Sequence, residues 1–169
     1  MWSVEISMTV ETLPESRLGT KEHWDSVYSC VCAYRREVAT FTDIGDEGEV
    51  WFGEDSVERM VQYLADFLAD EPESPHILDL GMGNGHLLFA IAQDDDLQDV
   101  VPENMLGVDY SRASVDLAKA VGAARGGACS QIRFQEADLR DATSVGALAV
   151  ACEGRGWDIV CDKGTVRIF

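Results

Sequence analysis

Apolar positions along this chain recur with two periods, and each period marks an element. Val57, Met60, Val61, Leu64, Phe67 and Leu68 recur every three or four residues, which predicts a helix with one buried face. Glu71, Pro72, Ser74 and Pro75 end it. From there the rhythm changes. Four short apolar runs, His76 to Leu80, Met105 to Asp109, Ile132 to Glu136 and Trp157 to Asp162, read as strands. Between them lie helical patterns: one carrying Leu87, Leu88 and Ile91, one capped by Ser111 and running through Ala123, and one from Ser144 to Ala151. Asp94 to Asp96 mark a loop, and Gly126 and Gly127 break the second of these helices. Regular strand–helix alternation predicts an α/β domain with a parallel sheet and helices on both faces.

The part before this alternation is less regular. Thr20 is placed to cap a helix in which Trp24, Val27, Tyr28 and Val31 share one face, with His23 at the helix start. Between Phe41 and Trp51, Gly45, Gly48 and the acids Asp43, Asp46, Glu47 and Glu49 read as a polar loop. Met1 to Arg17 lacks sustained periodicity and is expected to be a flexible tail.

Composition narrows the classes of function. With 169 residues, 46% of them hydrophobic, the chain suits one globular domain. No uninterrupted apolar run approaches the roughly 20 residues that span a bilayer. Glu5 and Glu11 stand where a signal or transit peptide would be basic, so the expected location is the cytoplasm, with the nucleus also open. The net charge of −18, from 31 acids against 13 bases, speaks against direct nucleic-acid contact, which needs Lys and Arg on phosphates. It suits a basic partner, although an acidic surface also serves solubility alone. Cys30, Cys32, Cys129, Cys152 and Cys161 lack disulfide-framework spacing, and His23, His76 and His86 are scattered singly, so neither a disulfide scaffold nor a metal site is expected.

The most specific signal is ILDLGMGNG, an apolar strand entering an Asp-x-Gly-x-Gly-x-Gly loop at Asp79, Gly81, Gly83 and Gly85. Glycines there let the backbone turn sharply and lie close against a nucleotide-like ligand. Charge then discriminates among ligands. No Lys or Arg occurs from Asp79 to His86, so a pyrophosphate would be poorly served, and the Gly-Lys-Ser/Thr of a P-loop is absent. S-adenosylmethionine has no phosphate, and its ammonium and sulfonium are cations that suit a strand-end carboxylate. Asp109 closes the next strand at the spacing of a ribose-binding acid, and its two oxygens can accept from both ribose hydroxyls. Asp138, after the third strand, is open to two readings: acceptor for an adenine amino group, or cap of the turn through Leu139 and Arg140. Tyr110 and Leu139, adjacent to these acids, complete the candidate cofactor set.

Five segments, LGTKEHWD (Leu18 to Asp25), GEVWFGE (Gly48 to Glu54), ILDLGMGNG, GVDYS and WDIVCDKGT (Trp157 to Thr165), together resemble a known family. The chain is similar to the eukaryotic lysine methyltransferases that modify translation elongation factor 1-alpha. The glycine motif is general to class I methyltransferases, whereas LGT, WFGE and DKGT are particular to this family. The resemblance implies a Rossmann-like sheet and methyl transfer from S-adenosylmethionine to a lysine of the elongation factor. It also implies that Asp162 and Lys163 sit beside the reacting methyl, and that Trp51, Phe52 and Glu54 help close the cofactor pocket. Read without it, Trp51 and Phe52 are equally core aromatics, Asp162 a turn acid and Lys163 a surface charge. After DKGT, Val166, Arg167, Ile168 and Phe169 stand where the family continues Phe-Asp-Ala-Ile. The expectation is therefore a domain over residues 18–169 that holds strands one to four, lacks the C-terminal strands, binds its cofactor weakly, and turns over poorly or not at all. A small-molecule methyltransferase, a nicotinamide-binding dehydrogenase and a noncatalytic partner of a complete enzyme are the rival readings.

Overall fold

The structure, a computed structural model, describes residues 20, 22, 23, 26, 47, 50, 52–69, 74–150 and 156–165. The expected tail at 1–17, the apolar face of Trp24, Val27, Tyr28 and Val31, most of the acidic loop, Trp51, Cys30, Cys32, Cys152 and residues 166–169 lie outside them.

Helix α1 (Glu54–Leu68) buries Val57, Val61, Leu64 and Ala65 along one stripe, and Glu54 and Asp55 in its first turn favour the positive end of the helix dipole. Strand β1 (Ile77–Leu80) leads through the glycine loop into α2 (His86–Gln93). Strand β2 (Met105–Asp109) precedes α3 (Arg112–Arg125), and β3 (Arg133–Glu136) precedes α4 (Ala142–Val150) and β4 (Ile159–Asp162). Short 3-10 turns occupy Asp95–Leu97, Pro102–Asn104 and Gly127–Gln131. The sheet is parallel throughout, in the order β3-β2-β1-β4, with Ile77 opposite Met105 on one side and Ile159 on the other. This is a Rossmann-like α/β arrangement.

Alternation along the strands sorts the core into two layers. Ile77, Met105, Phe134 and Cys161 join the apolar faces of α1, α2 and α3 in one cluster. Leu78, Leu106 and Val108 meet Leu148 of α4 in the other. Phe89, Leu88 and Ile91 are fully buried, so α2 is apolar around most of its circumference. Each such side chain contributes roughly 1.5–3 kcal/mol relative to exposure. β3 and β4 bury fewer of their positions than β1 and β2, as befits strands at the two edges of the described sheet.

Several boundaries differ from the sequence reading, for local chemical reasons. Helix α4 starts two residues earlier than Ser144, because Asp141 accepts from the Ser144 amide at 2.9 Å and its hydroxyl at 3.0 Å and so caps the first turn. Those bonds hold the Asp141 carboxyl below its ordinary pKa. Ser111 stands at the N-cap of α3 but caps by position only, since its hydroxyl is buried without a hydrogen-bond partner among the described residues. Asp109 Oδ1 instead accepts from the Ser111 amide at 2.9 Å. Trp157 precedes β4, where its indole N–H donates to the Leu148 carbonyl at 2.9 Å and straps α4 to the strand. At the entrance to β1, the His76 carbonyl accepts from both Asp158 and Ile159 amides, and the His76 amide donates to Asp158 Oδ2 at 2.8 Å. The early helix is visible at its cap, where Thr20 Oγ1 accepts from the His23 amide at 3.3 Å.

Candidate active site

The glycine loop is positioned by the strand it leaves and by the strand beside it. Gly81, Gly83 and Gly85 have φ of 65°, 59° and 83°, a region that L side chains rarely adopt. The Met82 amide donates to the Val108 carbonyl at 3.0 Å, and the Gly83 amide donates to Asp109 Oδ2 at 3.1 Å. Ser114, buried on α3, donates from its hydroxyl to the Gly83 carbonyl at 2.6 Å. Thus β2 and α3 hold the turn that β1 begins.

Around this loop the strand ends bring three acids and one lysine into a common field. Asp79, 1% exposed, lies one residue before the end of β1, opposite Gly107 and Cys161. Burial pushes its carboxyl up to about 7, Lys163 pulls it down, and Asp109 and Asp162 push it further up. Desolvation lowers the Lys163 amine from its ordinary value, with the nearby Asp79 charge opposing that fall. Asp109 is buried with one oxygen on Gly83 and the other on Ser111. Asp162 ends β4 and accepts the Thr165 amide at 2.7 Å, which folds the Lys163–Gly164–Thr165 turn back toward the loop. That turn touches the glycine loop directly: a Cβ built on Gly81 would fall 1.9 Å from Thr165 Oγ1.

Two segments distant in sequence meet there. The Phe52 ring lies against the second turn, with Lys163 Nζ 5.9 Å from its centroid and a hypothetical Gly164 Cβ 2.4 Å from its edge. Phe52 itself has φ of 67°, unusual for a bulky residue, and its carbonyl accepts from Ser56 Oγ at 2.7 Å. Glu54 opens α1 and, with His86 and Asp94, lines a groove between α1 and α2. Tyr110 is half-buried after β2 and donates to the Thr20 carbonyl at 3.2 Å, linking the early helix to the site. Asp138 holds the Arg140 amide at 2.9 Å and its guanidinium at 2.9 and 3.1 Å, which is the turn-capping arrangement left open beside adenine contact. Leu139 packs half-buried on the second core cluster.

Sequence reasoning did not single out Asn84, Ser114, Arg125 or Thr165. Asn84 is buried within the loop; its Oδ1 accepts the His86 amide at 3.3 Å and its Nδ2 donates to the Glu47 carbonyl at 3.0 Å. Ser114 carried one detectable signal, a hydroxyl three positions into the helix that follows the ribose-spaced acid. Among the described residues no cluster of His, Cys, Asp and Glu has the geometry of a metal site, and no helix is long and apolar enough to cross a membrane.

Comparison with known proteins places this arrangement. A sequence model described as a methyltransferase domain matches residues 73–166, the stretch from before β1 to just after β4. The chain is 42% identical over 159 residues to the protein-lysine N-methyltransferase efm4 of Schizosaccharomyces pombe, covering 90% of this chain and 61% of that protein. It is 36% identical over 155 residues to EEF1A lysine methyltransferase 2 of Danio rerio, covering 92% and 56% respectively. With the protein of that name in Homo sapiens the identity is 33% over 150 residues, covering 89% and 53%. The chain thus spans somewhat over half the length of these relatives. No solved structure matches it. The glycine loop, the strand-end acids and the parallel sheet fall within the matched segment, and the chain belongs to the methyltransferase domain family.

Proposed function

We propose that this chain binds S-adenosylmethionine at the glycine loop and serves a protein-lysine N-methyltransferase whose substrate is translation elongation factor 1-alpha. The observation that carries the cofactor is electrostatic. Asp79, Asp109 and Asp162 converge on a loop without a cation of its own, and Asp79 is buried deeply enough to push its carboxyl up to about 7. A phosphate would be repelled by such a field; a sulfonium and an ammonium relieve it. The donor set fits in detail. Asp109 accepts the Gly83 amide through one oxygen and the Ser111 amide through the other, which orients its carboxylate beside the loop where a ribose would lie. The left-handed glycines leave the backbone bare for close approach.

Bound there, S-adenosylmethionine would supply a methyl group activated by its sulfonium. The residues of the chain have three tasks. Asp109 and the loop backbone fix the nucleoside, and the carboxylate of Asp79 offsets positive charge. Asp162, Lys163 and the carbonyls of their turn orient the incoming amine, which must be neutral and in line to attack. Phe52 forms an aromatic wall beside that turn, where a cationic side chain can rest before losing its proton. The lysine and elongation-factor parts of the proposal are supported by the names of the relatives and by the net charge of −18, which attracts a basic protein. The same reading puts the work of the protein in the cytoplasm, with the nucleus as a second compartment, testable by fractionating tagged protein.

The two parts separate by experiment. Titration calorimetry with S-adenosylmethionine tests binding, and absence of heat from well-folded protein refutes it. Transfer of labelled methyl groups to purified elongation factor, compared with a panel of small metabolites, tests the substrate; label on a metabolite alone would overturn the protein reading.

A further inference from the structure

Glu47 and Arg125 are 78 residues apart, yet the guanidinium Nε and Nη2 of Arg125 engage both carboxylate oxygens of Glu47. Their side chains are only 15% and 19% exposed. Arg125 is braced independently of Glu47. Gln93 at the end of α2 accepts from its Nη1 at 2.6 Å, and its guanidinium carbon sits 4.9 Å above the Phe89 ring. Phe89 in turn packs edge-on against Phe134 at 5.6 Å and abuts the space above Gly85. A fork fixed on these sides offers one orientation to a carboxylate.

Glu47 is held through both its side chain and its backbone. Its side chain is held by α3, and its backbone carbonyl is held by Asn84, a member of the glycine loop. Its segment continues to Val50, which packs on the core, and on to Phe52, whose ring lies against Lys163 and Gly164. The Gly53 amide returns to the Val50 carbonyl at 3.2 Å and starts α1. A buried ion pair gives up much of its attraction as desolvation, so its main product is a defined placement of the groups it joins. Here it joins Glu47, held by Asn84 of the loop, to α3.

We propose that Arg125 and Asn84 are positioning residues that act through Glu47 to hold Glu47, Val50 and Phe52 in place beside the glycine loop, and that this clasp sets the affinity for S-adenosylmethionine. The proposal rests on the cofactor reading above. Neither residue needs to touch the ligand. The effect passes through the placement of Phe52 and the start of α1.

The test uses the whole chain and two measurements: calorimetric affinity for S-adenosylmethionine, and amide hydrogen exchange compared between residues 50–56 and strands β1 and β2. Arg125→Gln is expected to weaken binding about tenfold and to speed exchange at 50–56 while leaving β1 and β2 protected. Arg125→Lys keeps the charge and loses the fork; it should fall between, and it decides the matter if the Gln variant does not fold. Combining Glu47→Gln with Arg125→Gln should weaken binding no further than Arg125→Gln alone, because the two act as one device. Unchanged affinity with unchanged exchange in the Arg125 variants, or additive losses in the double variant, would overturn the clasp. If the wild-type chain binds no S-adenosylmethionine, the cofactor reading fails, and exchange at 50–56 still decides whether the clasp exists.

Discussion

Asp79 carries the most consequential proton in the molecule. Its ordinary pKa of 3.8 applies to the unfolded chain, and burial pushes it up to about 7 in the fold. Below pH 3.8 both states hold the proton, so the group costs nothing. Between 3.8 and about 7 the unfolded chain releases a proton that the folded chain retains, so stability falls as pH rises, and above that window the whole penalty is present. Asp79→Asn is therefore expected to be more stable than wild type at pH 8, by a few kcal/mol in urea denaturation, with the difference vanishing near pH 4. The same variant should bind S-adenosylmethionine more weakly. In wild type a cationic ligand favours the ionised form, so affinity should rise with pH through about 7, and binding at pH 6 should release a proton. Calorimetry in buffers of different ionisation enthalpy measures that release. The two described thiols are predicted to be inert. Cys161 is buried, and burial with the Asp79 charge pushes its thiol up to about 12; Cys129 is buried and raised as well. Iodoacetamide at pH 8 should leave both unmodified until denaturant is added, as read by peptide mass mapping.

At the scale of elements, two helical glycines give opposite expectations. A Cβ on Gly122 of α3 would lie 2.9 Å from the Cys129 carbonyl oxygen and 3.2 Å from Phe89, so Gly122→Ala should destabilise by about 1–3 kcal/mol. Gly146 in α4 faces open space, and Gly146→Ala should stabilise by roughly 0.5–1 kcal/mol through helix propensity. Thermal denaturation of the two variants checks both signs. The elements themselves were legible because their apolar residues keep a period: Val57, Val61 and Leu64 in α1, and the unbroken run of β2. Their ends were less so, because Asp141, Trp157 and His76 set boundaries through hydrogen bonds that no period records. The candidate site divides the same way. The glycine loop lies in one stretch and can be read directly. Asn84 meets Glu47 across 37 residues and Arg125 meets it across 78, and neither spacing singles out a partner in a chain with 31 acids. The contact of Phe52 with Lys163 was foreshadowed only by resemblance, since nothing in WFGE or DKGT taken separately says that the two touch.

Across the whole molecule, the net charge of −18 sets how partners arrive. Attraction of a basic protein over a distance is screened by salt, with a Debye length of about 8 Å at physiological ionic strength. On the proposed function, methyl transfer to the elongation factor is accordingly expected to slow markedly between about 50 and about 300 mM salt. Cofactor affinity, governed by buried groups such as Asp79 and Asp109, should change far less over the same range. Stopped assays at each salt concentration, paired with calorimetry, separate the two. The sheet order has a further consequence in time. β1 is central, but its neighbour on one side, β4, begins beyond Asp158, which lies 82 residues after His76. A ribosome adding roughly 5–20 residues per second needs roughly 4–16 s to cover that interval. During it, β1 can pair with β2 alone, and the apolar flank awaiting Ile159 and Cys161 stays open. The strand that leads into the glycine loop is thus the first of the described strands to be made and the last to gain both its neighbours, leaving an apolar edge exposed in the meantime.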